Sequence, residues 1–531
     1  MKTRILFLPA LVLSLNISAQ FSFTTENVST NGSYKMCVVD MNGDFLDDIV
    51  SVGSNNINVL VQQDAGGFVS QNFPTSSAQN LPGWTMAAGD FNGDGYNDLL
   101  YGGGNGATFM LSASDGSSYT QVSPGQYIFS QRTNFVDINN DGYLDAFVCH
   151  DLEPNVYYLN DGNNNFEYHQ GGLGDYFSGG NYGSVWIDYN NDGHIDMFIA
   201  KCGGEQPRYT DQLLRNNGDG TFTEVAAQAG LNNTTQTWSS AWADYDNDGD
   251  MDVMVGASSF WSGGHKLMRN NGDGTFTDIT AASGLDIYNG TSWDYAPADF
   301  DNDGFVDIYT EDTILRNNGN MTFTPVNTPY ISSIGDLNND GFLDGYSFGT
   351  VSYNNGNSNN WLTINTIGTE SNRNGIGARV EIYSAMGKQI RDVRSGEGFQ
   401  YMSTLNTHFG LGTDTSIDQV IVRWPSGIVD TIENPDINTT LVIVEGDHQM
   451  GVKDVEANTF SIYPNPVKDV LHVKGKSMEN VNYEIHHITG QLVQKGKIGN
   501  GNINVNSLGK GIYVISITQN DKKSNLKFIK Q

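Results

Sequence analysis

At 531 residues the chain exceeds a single ordinary core, and 62 Gly against 13 Pro with 16% charged residues suits many short strands joined by tight turns, not helical bundles or disorder. Its formal net charge of −33 disfavours polyanionic partners such as nucleic acid and anionic lipid, and favours cations. The charge is uneven: residues 451 to 531 carry 11 Lys against 6 acidic residues, so this end reads as a separate unit.

In chain order, Lys2 and Arg4 precede an apolar run from Ile5 to Leu15 and a small-residue site at Ala19, so residues 1–19 are expected to be an export signal. The run is shorter than the roughly 20 residues of a spanning helix. Three cysteines, Cys37, Cys149 and Cys202, lie in apolar strand-like runs. An odd number cannot all pair internally, so they read as buried small apolar residues, and something other than disulfides must staple an exported chain.

A repeat organises most of the sequence. DMNGDFLDDIV starts at Asp40, and related segments start at Asp90, Asp137, Asp188, Asp244, Asp299 and Asp336, at intervals of 50, 47, 51, 56, 55 and 37 residues. That is close to the spacing of four-stranded propeller blades. Between loops, LLRNNGDGTFTEV from Leu213, KLMRNNGDGTFTDI from Lys266 and ILRNNGNMTFTPV from Ile314 each set an Asn/Gly turn between two alternating runs, a hairpin signature. Seven units predict an all-β, seven-bladed propeller. The last unit lacks its TFTEV-like strand, and FSFTTENV from Phe21 is expected to supply it and close the ring.

The aspartate loops have the chemistry of a hard-cation cage, with oxygen side chains at positions 1, 3, 5 and 9 and Gly usually at 6. The candidate ligands are Asp40, Asn42, Asp44 and Asp48; Asp90, Asn92, Asp94 and Asp98; Asp137, Asn139, Asp141 and Asp145; and Asp188, Asn190, Asp192 and Asp196. The remaining three loops offer Asp244, Asp246, Asp248 and Asp252; Asp299, Asp301, Asp303 and Asp307; and Asp336, Asn338, Asp340 and Asp344. Up to seven calcium ions are expected. An EF-hand is disfavoured because position 12 is never Glu and the flanks are β-prone. The first loop has Phe45 where Gly is expected, which makes it the weakest candidate.

These units resemble the FG-GAP/VCBS repeats of integrin-α-type propellers over residues 20–358, a resemblance that implies structural calcium in the loops. From residue 359 to 447, SNRNGIGARVEI, THFGLG and VRWPSG resemble an ASPIC/UnbV domain, except that FQYMSTLN stands where a polar stretch is expected before HFGLG. His408, Arg373, Arg394 and Arg423 are its chemically notable side chains, and each reads more readily as structural than as ligand-binding.

After a linker at 448–457, residues 458–531 predict a compact β-sandwich. Their YPNP, the G-x-L-V strand and the L-x-x-G-x-Y strand resemble the C-terminal sorting domain of type IX secretion cargo. That implies a partner in the secretion machinery and a secreted or outer-membrane-surface location, with no membrane span in the mature chain.

Two functions remain open from sequence: a calcium-rigidified binding or adhesion protein for an extracellular glycan or protein, or a calcium-dependent polysaccharide lyase or hydrolase. No G-x-S-x-G or H-E-x-x-H motif is present, and no catalytic residue is assigned. Trp84, Trp238, Trp261 and Trp293 are candidates for a sugar-stacking surface or for core.

Overall fold

The computed structural model describes residues 21–448 except 35, 164, 259–263 and 287–293, and residues 460–531 except 476–480, 488–491 and 520–521; side chains of 522–525 are also outside the description. The expected export signal, most of the linker, Trp261 and Trp293 lie outside the described residues. The chain divides into two compact units, 1–449 and 450–531.

Between Phe23 and Asn354 the described residues form seven successive antiparallel sheets. A representative one contains Thr237–Ala243, Asp252–Ala257, Lys266–Asn270 and Phe276–Asp278, in chain order. The aspartate loop joins the first strand to the second, so its position-9 residue opens the second strand, as Asp252 does here. The three hairpins expected from the RNNG turns are present, with Asn216 opposite Phe222, Asn270 opposite Phe276 and Asn317 opposite Phe323. The sheet at the first loop has three strands, and bridges from Tyr34 to Val52 and Val38 to Ile49 extend its inner edge.

Closure follows the sequence pattern. Strand Phe23–Asn27 pairs with Thr350–Asn354, from Phe23 opposite Asn354 to Asn27 opposite Thr350, and becomes the outer strand of the last sheet. This removes the edge that strand would otherwise leave unpaired.

Residues 360–444 form two more sheets: Asn360–Ile367 lies between Thr407–Gly412 and a parallel Thr440–Val444, and Arg379–Ser384 lies between Gly387–Asp392 and Ile417–Arg423. Their apolar side chains do not form a private core. Leu362, Ile376, Val380 and Phe409 join Phe91, Phe109 and Phe135 of the repeat region in one buried cluster.

The segment linking these sheets, residues 394–406, contacts all seven repeat sheets or the segments that lead into their first strands. Met402 bridges Cys37, and its carbonyl accepts from the Val38 N–H at 2.9 Å. Ser395 Oγ donates to the Ala88 carbonyl, and Arg132 Nη1 donates to the Phe399 and Tyr401 carbonyls at 3.1 and 2.9 Å. The Phe399 ring packs against Tyr182, and Arg394 Nη2 donates to the Trp242 carbonyl. Asp294 accepts from the Phe399 and Gln400 N–H groups at 2.8 Å each, and the Ile334 carbonyl accepts from Thr404 N–H. Residues 394–406 therefore occupy the centre of the ring. At Gly396, φ is +95° and a Cβ would fall 1.4 Å from the Arg132 guanidinium, so no side chain fits there.

In the second unit, Phe460–Tyr463, Val470–Gly475 and Asn502–Asn504 form one sheet, and Val481–His487, Leu492–Ile498, Gly511–Gln519 and Lys522–Lys530 the other. Leu471, Ile485, Ile515 and Phe528 are among its fully buried core, as expected of a sandwich.

Candidate metal centres

Each aspartate loop is wound around its own side chains. In the third copy, Asp137 accepts from the N–H groups of Asp141 and Gly142 at 3.1 and 2.9 Å. Asn139 accepts from Asp141 N–H and donates to the Asp141 carboxylate, and Asp141 accepts from Tyr143 N–H. Backbone N–H groups of the turn bind positions 1 and 5 in all seven loops, and position 3 in the five that carry Asn there.

The turn needs two left-handed residues. Position 6 is glycine in six copies, with φ from +82° to +98°, and Phe45 in the first, with φ +70°. Position 4 is also left-handed in all seven, as Gly43, Gly93, Asn140, Asn191, Asn247, Asn302 and Asn339. The Asn/Gly preference at position 4 carries that second requirement, because these residue types tolerate the conformation best.

Position 9 does double work. Asp252 accepts from Tyr245 N–H at 3.1 Å and from Asn270 N–H on the third strand at 2.8 Å. Asp48, Asp98, Asp145, Asp196, Asp307 and Asp344 make the same third-strand bond, and all seven are fully buried. Burial pushes Asp48, Asp98 and Asp145 up to about 8 and Asp196 up to about 9, and raises Asp252, Asp307 and Asp344 well above the usual carboxylate range. Two backbone N–H groups do not offset the loss of water around these carboxylates.

The loops at Asp244 and Asp299 carry Asp at position 3, and each brings carboxylate oxygens of positions 1, 3 and 9 within 4.8 Å of one another. Asp246 Oδ1 and Asp301 Oδ1 are buried and have no hydrogen-bond partner. An orphaned buried carboxylate oxygen beside two further carboxylates is what a hard cation would satisfy. Sequence reasoning missed the neighbouring arginines: Arg269 pairs with Asp246 and Asp248 at 2.9 and 3.2 Å, and Arg316 with Asp301 and Asp303 at 2.7 and 2.9 Å. Each lies one residue before the Asn of the RNN turn, which was the available signal.

The first Asn of that turn stitches neighbouring blades. Asn270 Nδ2 donates to the Met251 carbonyl of its own loop and to the Tyr189 carbonyl of the preceding loop. Asn317 and Asn354 repeat the arrangement, and Gln62 reaches the Asp336 carbonyl across the closure.

Residues 360–444 dock on the loop side. Asn374 accepts from Asp90 N–H, Arg379 binds Asn191 and the Asp188 carbonyl, and His408 Nε2 lies 2.7 Å from Asn302 Oδ1. His408 is buried, and burial with the nearby Arg391 charge pushes it down to about 3. Arg394 pairs with Glu397 and Arg423 with Glu381, so His408, Arg394 and Arg423 are committed within the fold, whereas Arg373 lines a small cavity. Trp84 and Trp238 are half-buried, and with Tyr182 they pack against buried Phe399.

Three family models match parts of the chain. The FG-GAP-like repeat family model matches residues 40–101, 90–148, 137–199, 188–255 and 257–310, just over half of the chain. The ASPIC and UnbV model matches 368–450, and the secretion system C-terminal sorting domain matches 461–531. The chain is similar to cartilage acidic protein 1 of Homo sapiens, 28% identical over 270 residues, 44% of this chain and 40% of that protein. To its Xenopus tropicalis counterpart it is 26% identical over 295 residues, 48% and 44% of the two chains. It spans under half the length of these curated relatives.

Among solved structures it is similar to an Agrocybe aegerita lectin that recognises non-reducing terminal N-acetylglucosamine, at 19% identity, 61% and 85% coverage of this chain and that one, and TM-score 0.39. It is also similar to the extracellular domain of a hybrid two-component system from B. thetaiotaomicron, at 12% identity, 96% and 73% coverage, and TM-score 0.39. Among the described residues no helix is long and apolar enough to cross a membrane. The sorting domain assigns the protein to type IX export, to the outside or the outer-membrane surface. The chain belongs to the FG-GAP-like repeat family, in an exported form that also carries ASPIC/UnbV and sorting domains.

Proposed function

We propose that this is a calcium-stabilised surface or secreted protein that binds an extracellular glycan or protein, with the seven aspartate loops as the calcium sites. The observation that carries the calcium reading is the pair of buried, partnerless oxygens Asp246 Oδ1 and Asp301 Oδ1 inside three-carboxylate clusters. Oxygen-only donors on tight loops suit calcium, which takes six to eight oxygens, better than the softer metals that prefer nitrogen or sulfur. Binding is favoured over catalysis by the filled centre of the ring: residues 394–406 take the axial space in which a propeller enzyme would seat a substrate.

Two measurements on the full chain test this. Metal analysis after dialysis should return calcium in multiples, up to seven per chain, and EDTA should lower the melting temperature of the first unit while sparing the C-terminal sandwich. An unchanged melt in EDTA would remove the calcium reading. A glycan and protein array with the calcium-loaded chain tests the binding reading, and release of unsaturated or reducing-end sugar would replace it with the lyase or hydrolase alternative.

A further inference from the structure

One loop breaks the repeat pattern, and it breaks it beside a cavity. Position 6 of the first loop must be left-handed, and Phe45 holds it at φ +70°, a conformation that costs a non-glycine residue about 1–2 kcal/mol. The other six loops avoid that strain with glycine. Strain retained at one copy of a repeat points to a use for the side chain. The half-buried Phe45 lines a cavity of about 230 Å3 between the first and last repeat loops and the strand Asn360–Ile367.

Asn365, 2% exposed and with neither Oδ1 nor Nδ2 hydrogen-bonded, also lines this cavity, and with Phe45 it borders the smaller one that holds Arg373. A buried amide left without partners costs several kcal/mol unless a guest or water completes it. The lining also includes the buried Asp47 carboxylate, which accepts from Asp336 N–H at 3.0 Å, and the exposed residues Asp44, Thr440 and Val442.

These groups define the guest. A bare cation would take Asn365 Oδ1 and leave Nδ2 orphaned. An anion would take Nδ2 and meet the buried carboxylate of Asp47, which is not among the proposed calcium ligands. Water could complete the amide but makes no use of the strained aromatic ring. A hydroxyl donates and accepts, and a ring bearing hydroxyls on its edge and C–H groups on its face matches a lining that combines the Asn365 amide, the Asp47 carboxylate and the Phe45 ring. From this we propose that the cavity binds one neutral sugar ring, as a free monosaccharide or the terminal residue of a glycan. The proposal rests on the binding reading above and names its ligand class and place.

The test compares the calcium-loaded full chain with Asn365→Leu and Phe45→Gly on the same glycan and protein array, followed by saturation-transfer NMR with glucose, galactose, mannose, fucose and N-acetylglucosamine. Both variants should fold, because leucine removes the orphaned amide and glycine removes the left-handed strain; melting temperatures check this. Sugar binding by the wild type that falls at least tenfold in both variants, with melting unchanged or raised, supports the site. Sugar binding that persists in both variants, or a protein ligand with no sugar signal, overturns the cavity assignment and leaves the binding function standing. No ligand on either array overturns both.

Discussion

Arg269 and Arg316 change how the loops at Asp244 and Asp299 are ranked. Counting carboxylates alone, these loops carry four where the others carry three and an Asn, which predicts the tightest calcium binding. Each arginine returns one positive charge, so the local total matches that of the Asn-containing loops. Replacing Arg316 by Gln should therefore tighten calcium at its loop. The gain should be a few-fold, because a partly exposed pair is worth about 0–1 kcal/mol. Calcium titration of the variant followed by site-resolved structure determination checks it; weaker binding at that loop would mean that the guanidinium orders the ligands more than it opposes the ion. The charge pattern that nominated these aspartates was plain in the sequence, since position and residue type recur in seven copies. The arginine compensation was not, because the cation comes from the third strand, 15 residues beyond Asp301, and only the fold brings the two together.

At the scale of the element, the loop and hairpin work as one part. The position-9 aspartate ties the loop to the third strand, and the turn Asn ties that strand to the blade before it. Asn317→Ala should leave the buried carbonyls of Tyr245 and Val306 without donors and cost about 2–4 kcal/mol in denaturant unfolding. The adjacent exposed Asn318→Ala serves as the control and should cost under about 1 kcal/mol. Equal effects would show that the blade-to-blade bonds contribute nothing beyond the turn itself. The strands, hairpins and closing strand were legible because alternation and turn chemistry are local. The Asn contacts span 72 residues in sequence, and nothing local distinguishes Asn317 from its neighbour.

For the whole molecule, the segment FQYMST explains itself only in the ring. It departs from the polar stretch expected in an ASPIC/UnbV domain because Phe399, Tyr401 and Met402 are fully or almost fully buried at the ring centre. Three large apolar residues after a Gly-rich turn were the available signal, but a ring centre is made by seven distant segments and has no sequence pattern of its own. Truncation after residue 358 should therefore abolish cooperative melting of the repeat region, whereas truncation after 449 should preserve it. A 21–358 fragment that melts cooperatively near the full-length temperature would show the central segment to be dispensable. Loss of residues 458–531 should leave a folded protein in the periplasm, because the sorting domain is a separate compact unit.

In the proposed calcium-loaded state the cation and the proton compete for the same buried carboxylates, so pH separates that state from an empty ring. Without calcium, the raised carboxyls of Asp48, Asp98, Asp145 and Asp196 keep protons in the folded state that the unfolded chain releases near pH 4. Stability should then be greatest below pH 4 with respect to these groups and fall as pH rises toward 8 or 9. With calcium bound, the folded carboxylates are ionised, proton release accompanies binding, and stability should rise over the same interval. The decisive measurement is the melting temperature of the first unit from pH 4 to 8, once in EDTA and once in millimolar calcium. Slopes of opposite sign, downward in EDTA and upward in calcium, are the predicted result; superimposable curves would contradict calcium binding by the aspartate loops.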